Sequence, residues 1–291
     1  MKVWPKISII TPSLNQGEFI EETILSILNQ NYPNLEYIII DGGSTDNSVE
    51  IIKKYEDRIT YWISEKDEGQ SDAINKGLSK VTGDWFNWIN SDDLLAKDSL
   101  YILAKQGKGC DVFAGGVINF GDIPTEFVQN ENLCISGFFS KKNITTYHQP
   151  GFWFKAKYLQ SLNIKHNLNY CFDLDLTIQI LLQKPVIKYT SKPLAHFRFH
   201  YNSKSTTSHF LFEKERYEVA NYYIKSENSE LKKNANDYIN ARDWWDYLKK
   251  TTNSDRSKLL KIYLIGTNIF SDFSHRFNRM SLSYIKNIII K

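Results

Sequence analysis

The sequence predicts an α/β protein built around a mostly parallel sheet, and three observations lead to that prediction. Within the first hundred residues, short apolar segments with the composition of strands alternate with segments that have the periodicity of helices. Such alternation is typical of parallel sheets whose connections are helical. Three of the strand-like segments also end in clusters of polar residues. Because ligands bind at the carboxyl ends of parallel strands, these clusters predict a ligand site at one edge of the sheet.

The first elements predict one β-α-β unit. The segment Lys6–Thr11 is rich in β-branched residues, and Pro12 stops it, which predicts the first strand. The segment Glu18–Asn29 has apolar residues at helical spacing and predicts the first helix. A second apolar segment, Leu35–Ile40, predicts the second strand, and the polar turn Asp41–Asp46 closes it.

The same alternation continues along the chain. Asp46 can cap the helix that follows it, because Asp is favoured just ahead of a first helical turn. The further elements predicted before residue 100 are helices at Ser48–Tyr55 and Ser71–Lys80 and strands at Ile59–Ile63 and Trp85–Ile89. Beyond Leu100 the pattern loosens, with strands predicted near Val112–Phe120 and Pro185–Tyr189 and a helical pattern from about His209.

The composition excludes several classes of protein. With 42% hydrophobic and 24% charged residues, the chain can bury a sizeable core and lacks the composition of a disordered protein. A net charge of +3 is too small for a dedicated nucleic-acid binder. Three separated cysteines without a CxxC pair do not support a zinc ribbon, a thioredoxin site or a disulfide framework. The glycine-rich dinucleotide and P-loop motifs are absent, as are the GxSxG and HExxH motifs.

Residues 249–291 differ from the rest of the chain in charge. They carry a net charge of +7, whereas the residues before them carry −4. Their best apolar segment, Leu259–Phe270, contains Lys261 and is shorter than the ~20 residues that a spanning helix needs. A basic amphipathic helix on an anionic membrane and a helix packed on the rest of the protein both fit this pattern. The predicted location is the cytoplasm, with peripheral contact at the inner face of the cytoplasmic membrane as the alternative.

Two of the polar clusters contain residue types that bind nucleotides or metals. Asp41, at the tip of the second strand, can accept hydrogen bonds from a nucleobase N–H group or from ribose hydroxyls. Asn90–Asp93 places two adjacent acids after the fourth strand, and Mg²⁺ and Mn²⁺ prefer carboxylate oxygen. Each cluster also has a simpler interpretation, an ordinary polar turn at Asp41 and a helix cap at Asp92 or Asp93.

Taken in order, four motifs resemble those of family 2 glycosyltransferases. They are Ile7–Asn15, Ile40–Asp46, Asp67–Gly77 and Asn90–Asp93, in the family's order and at roughly its spacing. The resemblance continues in Tyr170–Leu176 and Phe197–His200 and ends after Phe210. It implies an α/β nucleotide-binding domain of the GT-A fold. It also implies inverting transfer of a sugar from a nucleotide-sugar donor, with a UDP-sugar the first candidate, to a glycan or lipid-linked acceptor of the bacterial cell envelope.

The resemblance also implies roles for individual residues. Those implied to bind the nucleotide sugar are Thr11, Pro12, Asp41, Asp72, Asn90, Ser91 and Arg198. Those implied to hold a Mn²⁺ or Mg²⁺ ion are Asp92, Asp93 and His200. Asn90 stands where the family's DxD motif often has its first Asp. Lys204 could complete the diphosphate site, and a surface loop with ordinary basic residues explains Arg198, His200 and Lys204 equally well.

Asp173 matches the acid that the family uses as its general base. Direct displacement needs one base for the acceptor hydroxyl and one electrophile for the leaving diphosphate, so a single catalytic carboxylate suffices. Asp175 is the competing candidate. On a helix the two side chains point in different directions, so only one of them should face the site.

The predicted organisation is a GT-A catalytic domain over residues 1–208 and a helical, basic extension over 209–291. Two other functions stay open. A sugar-phosphate nucleotidyltransferase needs a glycine- and arginine-rich loop after its first strand, and Thr11–Asn15 contains no basic residue. A non-catalytic nucleotide-sugar binding protein would keep Asp41 and Asp92 but would not need Asp173. No nucleic-acid partner is expected.

Overall fold

A mixed sheet of nine strands runs through the part of the chain that the structure describes. The structure is a computed structural model, and it describes residues 4–139, 145–162, 168–201, 203, 204 and 208–252. The strands are β1 (Ile7–Ser13), β2 (Leu35–Asp41), β3 (Tyr61–Ser64), β4 (Trp85–Trp88), β5 (Leu94–Leu95), β6 (Val112–Gly121), β7 (Glu126–Val128), β8 (Phe152–Lys155) and β9 (Ile187–Phe199). Their order across the sheet is β3-β2-β1-β4-β8-β6-β9-β5, and β7 pairs with β6 outside this path.

Helices connect several of the strands, and two further helices among the described residues come after β9. The α-helices are α1 (Ile20–Leu28), α2 (Ser48–Lys54), α3 (Gln70–Leu78), α4 (Ser99–Gln106), α5 (Phe172–Leu182), α6 (His209–Tyr223) and α7 (Ser229–Thr252). Helix α1 buries Ile20, Ile24, Ile27 and Leu28, the apolar residues whose spacing predicts it. The Asp46 carboxylate accepts a hydrogen bond from the N–H group of Ser48, the first residue of α2, although Asn47 and not Asp46 occupies the N-cap position.

Strands β1 to β4 are parallel, and their carboxyl ends meet at one edge of the sheet. The register puts Ser13 of β1 opposite Asp41 of β2, and Asp41 opposite Ser64 of β3. On the other side of β1, Ile10 pairs with Trp88 of β4. The polar residues that follow these strands therefore lie at the same edge.

Large aromatic side chains fill the core where the parallel and antiparallel parts of the sheet meet. Strand β8 is antiparallel to both β4 and β6. Four residues of these strands, Trp85, Trp88, Trp153 and Phe154, are each at most 2% exposed. Burying an aromatic ring removes much apolar surface from water, so this region contributes strongly to the stability of the sheet.

The α/β class predicted from the sequence is confirmed, and the largest difference concerns β9. The sequence predicts a strand at Pro185–Tyr189, whereas β9 continues to Phe199. The prediction ended early because Pro193 breaks the strand pattern, and proline removes a ladder hydrogen bond. In the structure the register between β6 and β9 shifts beside the Gly116–Pro193 pair, and this irregularity accommodates the proline.

The described residues group into two compact units. The first ends at Arg216 and the second begins at Tyr217, with Phe139 as a further member of the second. The domain boundary expected at residue 208 stays a prediction. Among the described helices, none combines the length and the apolar character needed to span a bilayer. Of the basic segment 249–291, only residues 249–252 are described, so its predicted amphipathic helix lies outside the described residues.

Candidate active site

A cavity of about 450 Å³ opens at the carboxyl edge of the parallel strands. Strand ends, the start of α3, the first turn of α5 and the segment after β9 all contribute to its lining. The predicted site residues that line it are Pro12, Asn90, Ser91, Asp92, Asp173 and His200. The predicted site residues outside its lining are Thr11, Asp41, Asp72, Asp93 and Arg198.

Asp92 and His200 form a polar pair in the wall of the cavity. His200 Nε2 lies 3.1 Å from Asp92 Oδ2. The imidazole ring packs against the Phe19 ring, with 4.7 Å between the ring centroids. The side chains of His200 and Asp92 are 9% and 22% exposed. The pair is therefore enclosed by protein on one side and open to the cavity on the other.

Asp93 and Arg198 lie behind this pair and hold Asp92 in place. The buried Asp93 carboxylate accepts hydrogen bonds from the Arg198 N–H group at 2.9 Å and the Asn90 side-chain amide at 3.0 Å. The Arg198 guanidinium donates to the Asp92 carbonyl oxygen at 2.8 Å and pairs with Glu22. Burial, together with the charge of Asp92, raises the pKa of Asp93. Both side chains thus contact protein groups here, and the metal and nucleotide-sugar contacts that the resemblance implies for Asp93 and Arg198 stay predictions.

The amide at position 90 fits this arrangement better than an acid would. Asn90 Nδ2 donates to Asp93, while Asn90 Oδ1 accepts a hydrogen bond from Gln70 Nε2 at 2.8 Å. An aspartate at this position could only accept, and its charge would face the Asp93 carboxylate. The departure from the family's DxD pattern therefore has a local structural reason.

The donor atoms of Asp92 and His200 fit a divalent ion that is bound to a diphosphate. Mg²⁺ at such sites takes one or two protein carboxylates and completes its shell with phosphate oxygens and water. Carboxylate oxygen and imidazole nitrogen are both ligands of first-row divalent metals. In the described part of the chain, no group of three or more His, Cys, Asp or Glu residues could hold a metal ion. With two protein donors, the pair leaves coordination positions that phosphate oxygens and water could fill.

Asp41 is fully buried and organises the turn after β2. Its carboxylate accepts hydrogen bonds from the N–H groups of Gly43 and Ser44, at 3.2 and 2.9 Å. It also accepts hydrogen bonds from the hydroxyls of Ser44 and Ser64, at 2.5 and 2.7 Å. Gly43 has a φ of 84°, which glycine adopts without strain. These contacts stabilise the turn after β2. Asp41 is not among the described residues that line the cavity.

Asp67, which sequence reasoning did not single out, places its carboxylate at the cavity instead. It lies in the segment after β3, whereas Asp41 is the last residue of β2, and it lines the cavity. Its Oδ1 atom accepts a hydrogen bond from the Gly69 N–H group at 2.9 Å, and burial raises its pKa. Gly42 permits this placement, because a Cβ atom there would lie 2.5 Å from Asp67 Oδ2. The strand-end argument, applied to β3 as well, would have found Asp67.

Thr11 and Asp72 contact protein groups beside the cavity. Thr11 is fully buried, with its hydroxyl 3.1 Å from that of Tyr37. Asp72, in the first turn of α3, accepts a hydrogen bond from the Glu68 N–H group at 3.2 Å and lies 3.4 Å from the Lys76 ammonium. Both residues shape the elements that carry the site.

A lysine ammonium reaches the cavity from the segment after β9. Lys204 Nζ donates to Gln70 Oε1 at 3.0 Å and lies 3.5 Å from the Asn169 carbonyl oxygen. Burial lowers the pKa of Lys204, with the charges of Glu215, Asp92 and Asp67 opposing that effect. Gln70 thus forms hydrogen bonds both with Asn90, after β4, and with Lys204, after β9. Its position at the start of α3 does not predict these contacts.

Asp173 and Asp175 have different surroundings on α5. Asp173 lines the cavity, and burial raises its pKa to about 6, with the charge of Glu215 acting in the same direction. Asp175 is buried and accepts a hydrogen bond from Gln179 Nε2 at 2.9 Å, one helical turn further on. Residues two positions apart on a helix point to different faces. Of these two acids, Asp173 is the one at the cavity.

Rings form the apolar part of the cavity wall. Those that line it include Trp88, Tyr147, His148, Phe172 and Phe197. The His148 ring lies tilted against the Phe197 ring, with 5.0 Å between ring centroids, and burial lowers the pKa of His148. His148 Nδ1 is buried and has no hydrogen-bond partner among the described residues. Ring faces with a few polar groups between them are typical of pockets for small organic ligands.

A comparison with protein families identifies the chain. Residues 8–168, more than half of the sequence, match the family described as glycosyl transferase family 2. The chain belongs to that family, which confirms the resemblance found in its motifs. A Bacillus subtilis glycosyltransferase named for teichuronic acid biosynthesis, TuaG, is 39% identical over 99 residues, which are 33% of this chain and 39% of TuaG. The matches span less than half the length of the first curated relatives.

Solved structures of similar shape confirm the GT-A fold. The mannosyltransferase PcManGT from Pyrobaculum calidifontis, in complex with GDP-Man and Mn²⁺, has a TM-score of 0.65 at 14% identity. That match covers 99% of this chain and 85% of PcManGT. Residues 1–349 of S. aureus TarS, in complex with UDP-GlcNAc, give a TM-score of 0.63 at 16% identity. That match covers 80% of this chain and 70% of the TarS chain.

Proposed function

We propose that this chain is an inverting, metal-dependent glycosyltransferase that uses a nucleotide-sugar donor. One observation carries the proposal. One cavity is lined by a carboxylate–imidazole pair, Asp92 and His200, and by a separate carboxylate, Asp173, whose pKa is raised to about 6. Direct displacement at an anomeric carbon needs an electrophile for the leaving group and a base for the incoming hydroxyl.

The nucleoside of the donor is proposed to lie against the ends of β1 and β3. Pro12 and Ser13 form one wall there, and Asp67 offers a carboxylate for ribose hydroxyls or a base N–H group. Asp67 takes this role in place of Asp41, whose carboxylate is occupied by its own turn. TarS binds UDP-GlcNAc and PcManGT binds GDP-Man on the same fold, which supports a nucleotide-sugar donor. The first candidate is a UDP-sugar.

The diphosphate of the donor is proposed to lie beside Asp92, His200 and Lys204. A Mn²⁺ or Mg²⁺ ion held by Asp92 and His200 would stabilise the negative charge on the leaving nucleoside diphosphate. The Lys204 ammonium, held by Gln70, adds positive charge at the same place. Asp93 and Arg198 keep Asp92 in position through the hydrogen bonds described above. The Mn²⁺ ion in the PcManGT complex supports a metal-dependent reaction.

Asp173 is proposed to accept the proton of the acceptor hydroxyl. A carboxylate with a pKa of about 6 is ionised at pH 7 and is a stronger base than an ordinary aspartate. The acceptor oxygen bonds to the anomeric carbon as the bond from that carbon to the phosphate oxygen breaks. The oxygen enters opposite the leaving group, so the configuration at the anomeric carbon inverts. The proton is then on Asp173 and the electron pair on the nucleoside diphosphate.

The acceptor is proposed to be a glycan or lipid-linked glycan of the bacterial cell envelope. The name of the relative TuaG, which refers to teichuronic acid biosynthesis, supports a polysaccharide acceptor. We further propose a catalytic domain over residues 1–208 and a helical extension over 209–291. The protein is proposed to work in the cytoplasm, with the basic segment 249–291 as the candidate contact to an anionic membrane.

A panel of sugar nucleotides tests the proposal. The protein is incubated with UDP-, GDP- and dTDP-linked sugars and a bacterial cell-envelope glycan as acceptor, in Mn²⁺, Mg²⁺ or EDTA, and release of nucleoside diphosphate is measured. We expect release from one class of donor, dependent on metal and reduced ~10²–10⁴-fold in Asp173→Asn. NMR spectroscopy of the glycosylated product should show an anomeric configuration opposite to that of the donor. Donor binding without turnover would favour a binding protein, and pyrophosphate release from a nucleoside triphosphate and a sugar phosphate would favour a nucleotidyltransferase.

A further inference from the structure

The carboxylate of Glu215 on α6 binds three consecutive backbone N–H groups. Glu215 is 8% exposed. Its Oε1 atom accepts a hydrogen bond from the N–H group of Asn169 at 2.8 Å. Its Oε2 atom accepts hydrogen bonds from Tyr170 at 2.6 Å and Cys171 at 2.9 Å. Hydrogen bonds to an ionised carboxylate are about twice as strong as neutral ones, so this contact restrains the segment 169–171 strongly.

The restrained segment leads directly into the proposed base. Cys171 is the residue before α5, and Asp173 is the second residue of that helix. Asn169 and Tyr170 also line the cavity. The path of 169–171 therefore sets where α5 begins and where the Asp173 carboxylate enters the cavity. A shift of about 1 Å in a reacting group can cost about 100-fold in rate.

Glu215 also acts on Asp173 through its charge. In the described part of the chain, titratable groups that interact electrostatically with Asp173 include the Glu215 carboxylate, the Cys171 thiol and the Tyr147 hydroxyl. Burial raises the pKa of both Cys171 and Tyr147, so these two groups are neutral at pH 7. The Tyr147 hydroxyl donates to the Asp173 carbonyl oxygen at 3.3 Å and leaves the carboxylate accessible. Of these three groups, Glu215 is the one that carries charge.

We propose that Glu215 is the positioning residue for the general base, holding the segment 169–171 so that Asp173 enters the cavity at the start of α5. The inference rests on the proposed function, because it assumes that Asp173 is the base. Glu215 lies outside the cavity lining and acts through the backbone and through its charge. No sequence motif connects it with Asp173, because α6 follows α5 only after β9.

Two substitutions of Glu215 separate its effect on geometry from its effect on charge. Glu215→Gln keeps the size of the side chain but removes the charge and turns an amide group toward N–H donors. We expect kcat to fall about 10- to 100-fold at unchanged donor Kd. The acidic limb of the kcat–pH profile should move to lower pH, because removing a negative charge lowers the pKa of Asp173. Glu215→Asp keeps the negative charge on a shorter side chain that no longer reaches the 169–171 N–H groups. We therefore expect kcat to fall while the acidic limb of the kcat–pH profile stays at the same pH.

Glu218→Gln is the matched control, because it makes the same chemical change at an exposed position of α6. Its kcat and pH profile should equal those of the wild type. Hydrogen exchange of the 169–171 amides gives a readout that does not depend on turnover. Exchange should accelerate in Glu215→Gln and in Glu215→Asp but not in Glu218→Gln. Circular dichroism establishes that each variant is folded before it is compared.

Two results would overturn the positioning role. One is a folded Glu215→Gln protein with the wild-type kcat and pH profile, and the other is unchanged amide exchange at 169–171. A wild-type protein that turns over no sugar nucleotide contradicts the proposed function instead. In that case accelerated exchange in Glu215→Gln still shows that Glu215 holds the segment, so the two failures are distinguishable.

Discussion

At the scale of single residues, neighbouring acids differ in exposure and therefore in what they can contact. Asp92 reaches the cavity, whereas Asp93 beside it is buried and accepts hydrogen bonds from protein donors. Asp173 lines the cavity, whereas Asp175 is buried and bonded to Gln179. A carboxylate can act on a ligand only where it is accessible and not already saturated by protein groups. Accessibility therefore decides which acid of each pair is available for chemistry.

Replacing Asp173 with asparagine should separate proton acceptance from binding. Asp173→Asn keeps the shape of the side chain but cannot take the acceptor proton, a role typically worth ~10²–10⁴-fold in rate. We expect kcat to fall by that factor while the donor Kd, measured by calorimetry, changes little. Asp175→Asn is the matched control and should stay active. An inactive Asp175→Asn protein beside an active Asp173→Asn protein would refute the assignment.

The same substitution should stabilise the protein at alkaline pH. The pKa of Asp173 is about 6 in the folded state against an ordinary value of 3.8, so ionisation favours the unfolded state. The resulting loss of stability is absent below pH 3.8 and complete above about pH 6. Asp173→Asn cannot ionise, so its Tm should exceed that of the wild type at pH 8 and approach it near pH 4. Scanning calorimetry across this range measures the difference, and a Tm difference independent of pH would contradict the prediction.

Removing the Asp92 carboxylate should abolish the metal-dependent part of donor binding. Asp92→Ala leaves His200 as the single protein ligand of the proposed ion, so addition of Mn²⁺ should no longer increase affinity for the donor. Turnover should be lost, and the fold should survive because the acid lies at a cavity wall. Titration calorimetry with and without EDTA measures the effect. Asp57→Ala, at an exposed position, is the control, and wild-type activity that is undiminished in EDTA would disprove metal dependence.

At the scale of the elements, a buried carboxylate ties the parallel strands together at the end opposite the cavity. Glu36 of β2 accepts hydrogen bonds from the Lys6 ammonium at 2.6 Å and the Ser8 hydroxyl at 2.6 Å. It also accepts hydrogen bonds from the Thr82 N–H group at 2.7 Å and its hydroxyl at 2.5 Å. Burial alone would raise the pKa of Glu36, but these donors outweigh it and lower the pKa to about 2. Glu36 thereby joins β2 to β1 and to the residues before β4.

Glu36→Gln should destabilise the protein at neutral pH. A shift from 4.5 to about 2 corresponds to about 3 kcal/mol of stability. That stability is present above pH 4.5 and is lost as the pH falls toward 2. The free energy of unfolding in urea should therefore differ by about 3 kcal/mol at pH 7, and the difference should shrink below pH 4.5. Glu56→Gln, at an exposed position, should change little, and an equal loss in both variants would contradict the prediction.

At the scale of the whole molecule, every described residue that lines the cavity belongs to the first unit. Its lining extends no further along the chain than Phe212, while the first unit ends at Arg216. The family match, residues 8–168, also precedes that point. The described residues that line the cavity and the family match therefore both precede Tyr217.

Liposome cosedimentation distinguishes the two interpretations of the basic segment 249–291. The membrane interpretation predicts that the full chain sediments with anionic vesicles but not neutral ones, and that salt releases it, since each base near the surface adds about 1 kcal/mol. The double substitution Lys258→Gln and Lys261→Gln, outside the described residues, should then weaken sedimentation. The packed-helix interpretation predicts that the protein stays in the supernatant with both lipids, and that result would exclude membrane contact through this segment.

Much of the fold could be predicted from the sequence because its signals are local. Strands β1, β2 and β4 and helices α1 to α3 each have their own periodicity or composition, so their neighbours in space are not needed to find them. The length of β9 could not be predicted, because Pro193 is tolerated only where the register with β6 shifts. The position of the cavity could also be predicted, because the carboxyl ends of parallel strands lie at the same edge of a sheet and ligands bind there.

The amino-acid sequence alone establishes the α/β class, the family and the acids among which the catalytic groups are to be sought, since motif order and periodicity are properties of the chain itself. Only the packing of the sheet and helices buries Asp41 and brings Glu215 to the segment before Asp173. The exposure of a side chain, and its hydrogen bonds to residues far apart in the chain, depend on how elements that are distant in sequence pack against each other. No local sequence pattern encodes such contacts. Only the tertiary structure therefore shows which of these acids line the cavity and which are buried.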